Sequence, residues 1–341
     1  MSRPRLSPRG WRYALGRALR EFWLGGGLDM AALLTFFTVL SFAPAVLAVY
    51  SIATLVLANN AELVDSLSAD FIADYVPADY RGTVADAVGT VVGSAAGGVI
   101  GLSVGIAVAL WSASAYVRAF SRCANAVYRQ AEGRPLLRQL ATMLLTTTVM
   151  LVGLVVILAS VMLSEPVVTA TLGPLAGPLG LSDVLDYLLG VFLPVWRWVK
   201  WPVIVAMAVV LIAVLYYATP NVKQPRFRWL SVGAAAALLG ITLVSAIFWL
   251  YLSYLTSFSG YGAAGTLLVL LFALWGANAA LVFGMKIDVE IVRARQLRSG
   301  VEAEHEVRVS PRSTREVEKR EARRERMADR GRDLRERYLA D

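Results

Sequence analysis

The chain has 341 residues, 57% apolar and 17% charged, with a formal net charge of +8 at pH 7. The charged share lies below the roughly 25% of soluble domains, and the charges cluster, leaving apolar runs beyond the roughly 18 residues that mark a membrane-spanning helix. An ordinary water-soluble globule is excluded, and the single cysteine, Cys123, excludes an intramolecular disulfide and any cysteine-rich metal site.

Residues 1–27 form a basic segment before the first predicted span, at about 30–57. Arginines followed by an apolar run resemble a signal peptide, but the run is too long and no small-residue cleavage site follows, so the span is read as uncleaved. Within "GGGLDMAALLTFFTVLSFAPAVLAVY", Asp29 stands at the start of the apolar run. There it either caps the helix N-terminus or serves as a proton or cation relay. Pro44 lies mid-span and cannot donate to the Leu40 carbonyl. Ser41 is placed to satisfy a freed backbone group. The resulting kink is either architectural or a hinge.

"AELVDSLSADFIADYV" spaces Leu63, Val64, Leu67, Phe71, Ile72 and Tyr75 at helical intervals, with Asp65, Asp70 and Asp74 between them. This predicts an amphipathic helix on the outer face.

The second span, about 93–117, carries Gly93, Gly97, Gly101 and Gly105 four residues apart. No strand precedes them and no Lys–Ser/Thr pair follows, which argues against a nucleotide loop. A four-residue period puts them on one helix face, where another backbone can approach closely. The alternative is a smooth sliding or gating surface. "ALWSASAYVRAFSRCANAVYR" follows and places Ser114 and Asn125 in a polar stripe.

The third to sixth spans fall at about 140–163, 202–219, 230–255 and 263–285. "DYLLGVFLPVWRWVKWP" precedes the fourth, with Trp196, Trp198 and Trp201 around Arg197 and Lys200. That cluster suits a membrane interface, as a re-entrant segment or as part of a broken fourth helix. In the sixth span, Asn278 is read as an interhelical hydrogen-bonding residue. Lys286, Asp288 and Glu290 at its inner boundary are read as interfacial anchors or local ion pairs. Ser41, Pro44, Ser114, Asn125, Asn278, Asp288 and Glu290, with Asp29, are the candidates for a polar pathway.

Charge counts between spans alternate. Residues 1–22 hold six Arg and one Glu, 59–92 six acidic residues and one Arg, 118–138 five Arg and one Glu. Residues 165–201 hold two basic and three acidic residues, and 219–229 three basic residues and no acidic ones. The alternation predicts six spans with both termini in the cytoplasm. The fold class expected is therefore all-α and polytopic: a six-helix transmembrane domain over 28–292, with amphipathic extracytoplasmic helices. Residues 293–341 form a charged cytoplasmic tail, helical or disordered.

The stretches "LSFAPAVL", "ALWSASAYVRAFSRCANAVYR", "PNVKQPRFRWLSVGAAAA" and "YGAAGTLLVLLFALWGANAALVFGMKIDVEI", in this order, resemble the YihY/BrkB family of bacterial inner-membrane proteins. The resemblance covers most of residues 20–292. It implies six transmembrane helices, cytoplasmic termini and an inner-membrane location. Family members once carried a ribonuclease BN label, generally regarded as a misassignment, and lipid or solute export has been suggested for others. The family often has an acidic residue where this chain has Lys286 and an asparagine where it has Asp288, while Glu290 matches.

Three functions compete at this point. One is transport of a lipid or small amphipathic solute, which suits kinked helices and a few buried polar groups. Another is a membrane scaffold for envelope proteins, acting through the tail or the outer helices. The third, metal-dependent ribonuclease activity, needs clustered carboxylates or histidines. The one histidine, His305, is in the tail, and the acidic cluster of 62–86 is expected outside. The expectation is no enzyme, no cofactor and no metal, with membrane lipids as partners. A homo-oligomer and a cytoplasmic partner of the tail are further candidates; nucleic acid is not expected.

Overall fold

A computed structural model describes residues 6–56, 81–82, 98–169, 172–173, 180, 182–223, 230–254 and 262–340. Among these residues the structure is helical, and extended backbone pairs at an isolated bridge between Val222 and Pro311. The outer amphipathic stretch, the acidic cluster of 62–86, Gly93 and Gly97 lie outside the described residues.

The basic N-terminal segment is itself a helix, α1 (Pro8–Leu24). Ser7 accepts from the Gly10 N–H at 3.2 Å and Pro8 opens the first turn, the residue types that start helices. Ala14, Ala18 and Phe22 recur every four residues and are buried, making one narrow stripe between arginines. Gly26, at φ 67°, takes the left-handed conformation that ends this helix cheaply. α2 (Gly27–Val56) then leaves at 65° and retains Pro44 within it.

α3 (Gly98–Val127) and α4 (Leu136–Met162) follow. Gly101 and Gly105 lie within α3, which continues ten residues past the predicted end of the second span. α5 (Ser182–Tyr187), a π-helical turn (Leu188–Phe192) and α6 (Leu193–Ala218) form one run. The tryptophan-rich segment is thus the first part of a 37-residue helix, neither re-entrant nor a separate piece. Its cations lie over indole rings: Arg197 over Trp198 and Lys200 over Trp201, each at 5.8 Å. α7 (Val232–Tyr254), α8 (Gly262–Arg298) and α9 (Arg315–Ala340) complete the order.

Among the described residues four helices are long and apolar enough to cross a membrane, or five if α1 and the start of α2 count as one bent span. The six predicted spans are not reached in this set. Large apolar side chains line the outside of these helices. Leu239, Leu243, Ile247 and Leu250 of α7 are all exposed and fall three or four residues apart. In water such a row would be an aggregation surface, whereas hydrocarbon solvates it at no cost.

The chain divides into two units, Met1–Phe36 with Val117–Thr146 and Ile212–Asp341, and Phe37–Tyr116 with Thr147–Leu211. In the first, Ala14 and Ala18 pack on Ile287, Ile291 and Ala294 of α8. Phe22 meets Phe283 edge to face at 5.4 Å, and Phe120 stacks on Tyr216. α7 and α8 touch backbone to backbone: a Cβ on Gly233 would lie 2.0 Å from the Gly284 carbonyl oxygen, and one on Gly240 would lie 2.7 Å from Ala280 Cβ. In the second, Ala109, Ala113 and Leu151 form a small core, and Leu211 fills the space over Gly153.

The tail is ordered. α8 carries the chain through Arg298, and Ala303 and Val307 are buried again beyond it. The distal tail is helical: α9 is regular, half-buried at Glu316 and Val317 and exposed from Glu318 to Leu339.

Candidate functional site

The polar side chains of the first unit gather where helices end. A helix terminus leaves four carbonyls or four N–H groups without partners, and next to a bilayer those groups need partners supplied by the protein.

The end of α6 is the densest case. Arg134, 3% exposed, donates to the carbonyls of Ala218 (3.2 Å) and Thr219 (2.8 Å) and to Ser121 Oγ (3.3 Å). Its other donors reach Glu132 at 2.8 and 2.7 Å. Arg312 donates to the carbonyls of Tyr217 and Val222. Two arginines thus cap one helix end, and the second comes from the tail. Asn221 ties in the rest. Its N–H donates to Asn125 Oδ1 at 2.7 Å, and its Nδ2 donates to the carbonyls of Ala131 and Ser313 at 3.0 and 2.9 Å. Asn125 in turn donates to Glu132 Oε2 at 2.9 Å.

These partners decide the ionisation of Glu132. Burial alone would raise its carboxyl, but hydrogen bonds from the Arg134 side chain and backbone, the Arg134 charge and the bond from Asn125 together hold it below the ordinary carboxylate value. The Tyr128 phenol is pushed far above its usual range, first by burial and then by the Asp288 charge.

A second cluster joins α1 to α8. Lys286 donates to the carbonyls of Glu21 (2.6 Å) and Gly25 (3.3 Å), closing the C-terminus of α1. Glu290 lies between Arg293 Nε at 2.8 Å and Arg17 Nε at 3.3 Å, with both Glu290 and Arg293 side chains 4% exposed. Arg293 also donates to the carbonyls of Ala303 and Glu304, which ties the tail to the same cluster.

Asp288 serves α7. Its carboxylate accepts from Ser231 Oγ and, at 2.9 Å, from the Gly233 N–H, while Ser231 Oγ accepts from the Ala234 N–H. This is an N-cap completed across two helices. Asn278 donates to Thr35 Oγ1 at 3.3 Å and to the Leu274 carbonyl at 3.0 Å, an interhelical bond of the predicted kind. Ser114 donates within its own helix to the Trp111 carbonyl.

The remaining candidates behave differently. Asp29 is exposed in the first turn of α2, where a carboxylate complements the helix dipole. Ser41 is 6% exposed and its hydroxyl has no hydrogen-bond partner among the described residues, so it does not satisfy a backbone group freed by Pro44. The structure therefore joins Asn125 to one cluster and Glu290 to the other.

Sequence reasoning passed over Arg17, Glu132, Arg134, Asn221, Arg293 and Arg312. Arginines in a basic loop read as solvated charges, and nothing in their spacing tells which ones fold back onto carbonyls. It also passed over Gly233, Gly240, Gly276 and Gly284. Here a signal existed, since Gly276, Ala280 and Gly284 repeat every four residues in an apolar helix. Chemically, most donors and acceptors of both clusters hold helix ends and one another, although Arg17 Nε, ion-paired with Glu290, is buried without a hydrogen bond. Among the described residues no group of three His, Cys, Asp or Glu side chains is arranged to hold a metal ion.

A family model described as Virulence factor BrkB matches residues 18–308. The match runs from α1 to the buried turn of the tail and stops short of α9. The chain is also 29% identical over 192 residues to a Bacillus subtilis protein named ribonuclease-like protein YfkH. That alignment covers 55% of this chain and 65% of the relative, just under two thirds of its length. No solved structure matches the chain.

Proposed function

This chain belongs to the BrkB family, and from that premise we propose that it is a six-span protein of the bacterial inner membrane that moves a lipid or small amphipathic solute. Both termini face the cytoplasm in this reading, supported by the alternation of basic and non-basic connecting segments.

One observation carries the transport reading. In α2, an apolar helix, the buried Ser41 hydroxyl has no partner, and three residues later Pro44 withdraws the donor that the Leu40 carbonyl would use. Unmet polar groups inside an apolar helix are costly. They are retained in membrane proteins chiefly where a solute, ion or water completes them. Ser41 is accordingly assigned to the solute path. Catalysis has less support: the carboxylates of the two clusters, Glu132 and Glu290, are engaged by arginines, and the ribonuclease-like name belongs to the relative.

The test is flux. Compounds that co-purify with the gently extracted protein, identified by native mass spectrometry, are offered to vesicles holding the purified chain. Protein-dependent movement of one of them, reduced several-fold by Ser41→Ala at equal folded amount, supports the proposal. Movement of none of them refutes it. A membrane scaffold is the second reading, favoured by the exposure of α9 from Glu318 to Leu339. Removing residues 315–341 separates the two, since a transporting core keeps its flux and a scaffold loses its bound proteins.

A further inference from the structure

The charges of α9 are sorted around the helix. Glu318, Glu321, Glu325, Asp329 and Glu336 step by three, four or seven residues and share one face. Met327, Leu334 and Tyr338 step by seven and four and form another, at 71%, 57% and 75% exposure, while Leu339, 80% exposed, lies beside Glu336 at the end of the acidic face and Glu316 stands in line with the apolar row at the tethered start. Glu325 and Asp329 stand two residues either side of Met327, and Glu336 stands two from both Leu334 and Tyr338, so the acidic and apolar rows point away from each other. Arginines border the apolar row on both sides. Arg323 and Arg330 flank Met327 at minus four and plus three, and Arg330 and Arg337 flank Leu334 in the same way. Arg324 and Arg335 each stand three residues before an apolar neighbour.

The ion pairs preserve this division. Arg332, which falls among the acidic residues, pairs with Glu325 at 2.9 Å and with Asp329. Arg323, Arg324, Arg330, Arg335 and Arg337 enter no ion pair among the described residues.

The start of α9 is fixed close to the ends of apolar helices. The Glu316 N–H donates to the Gly133 carbonyl at 3.1 Å, three residues before α4 begins. Asn221, three residues after α6 ends, holds the Ser313 carbonyl at 2.9 Å. From that point α9 extends about 39 Å at the usual rise per residue.

We propose that α9 lies on an anionic bilayer surface, with Met327, Leu334 and Tyr338 in the headgroup region, the flanking arginines on lipid phosphates and the acidic row facing water. A cationic helix with an exposed apolar row and an opposed acidic face fits an interface. It fits a nucleic-acid backbone poorly, because phosphate contacts have no use for the apolar row. Tethering at Gly133 and Asn221 makes docking intramolecular, so weak lipid contacts suffice. The inference rests on the membrane and cytoplasmic-tail reading above and is independent of transport.

The test places a nitroxide on Leu334→Cys in the full-length chain, whose native Cys123 is 3% exposed and shielded from the reagent. The labelled protein is reconstituted in phosphatidylcholine alone or mixed with phosphatidylglycerol, and collision with oxygen is compared with collision with a water-soluble nickel complex. The oxygen-to-nickel ratio is expected to rise several-fold in the anionic vesicles only and to fall back in high salt. It should stay low for a label at Glu325→Cys, and the combined Arg323→Gln, Arg330→Gln and Arg337→Gln variant should abolish the rise at Leu334. A Leu334 label in water in both vesicle types overturns the inference, as does one sheltered equally without anionic lipid, the result expected of a protein partner or second copy. Carbonate-resistant flotation of the same vesicles reports separately on the membrane reading.

Discussion

Replacing Gly284 with alanine tests whether α7 and α8 are held by backbone contact. The added Cβ would lie 2.3 Å from the Gly233 carbonyl oxygen, 2.7 Å from Tyr216 Oη and 2.9 Å from Ala237 Cβ. Ordinary contact begins at 3.4 Å, so the helices must part by about 1 Å, a gap that forfeits up to about half of the dispersion energy of the facing atoms. Overpacking of this kind costs about 1–3 kcal/mol. The same displacement pulls the Gly233 N–H away from Asp288, now 2.9 Å distant, and a bond to a charged group is worth about 1.5–3 kcal/mol. The sum is about 2.5–6 kcal/mol. The control is Gly16→Ala, where nothing lies within 4 Å of the added carbon and a helical alanine gains about 0.5–1 kcal/mol. Reversible unfolding of the purified protein in mixed detergent micelles measures both. Equal stability of the two variants would refute the reasoning, because it would mean that the α7–α8 crossing tolerates a methyl group.

Glu290→Gln leaves Arg293 buried with a neutral neighbour and is expected to cost about 3–5 kcal/mol. Adding Arg293→Met should recover part of that loss, and strict additivity in the double-mutant cycle would contradict the ion pair. Glu132 sets an acid limb on stability. Its folded carboxyl ionises below the ordinary value of 4.5, so its contribution is complete above that value and is lost as pH falls through the lower folded one. In unfolding followed against pH, Glu132→Gln should flatten that limb, and an unchanged slope would remove Glu132 from it. Asp29→Asn is expected to leave flux within about twofold and stability within about 0.5 kcal/mol, since asparagine also suits a helix start. Abolished flux at equal folded amount would instead make Asp29 a relay.

The membrane class, the helical fold and most helix positions were legible along the chain. Hydropathy is summed over contiguous residues, and a helix satisfies its own backbone, so neither needs knowledge of what lies elsewhere. The roles of Asn278 as an interhelical donor and Glu290 as an ion-pair partner were legible too, because a polar residue in or beside an apolar run has few options. α1 was missed because three small or aromatic residues among arginines make a narrow stripe, and the order of the tail was left open because its apolar content is low. Both are stabilised by partners at least 90 positions away in the chain: Lys286 at the end of α1, and Asn221 and Arg312 at the start of the tail, meet groups that only chain folding brings near. The sequence by itself determined which segments are apolar enough for lipid. Tertiary structure decided which arginines cap carbonyls, which glycines bear the helix crossing and which serine stays unpaired, because capping, contact and burial depend on distances between segments that no local pattern records.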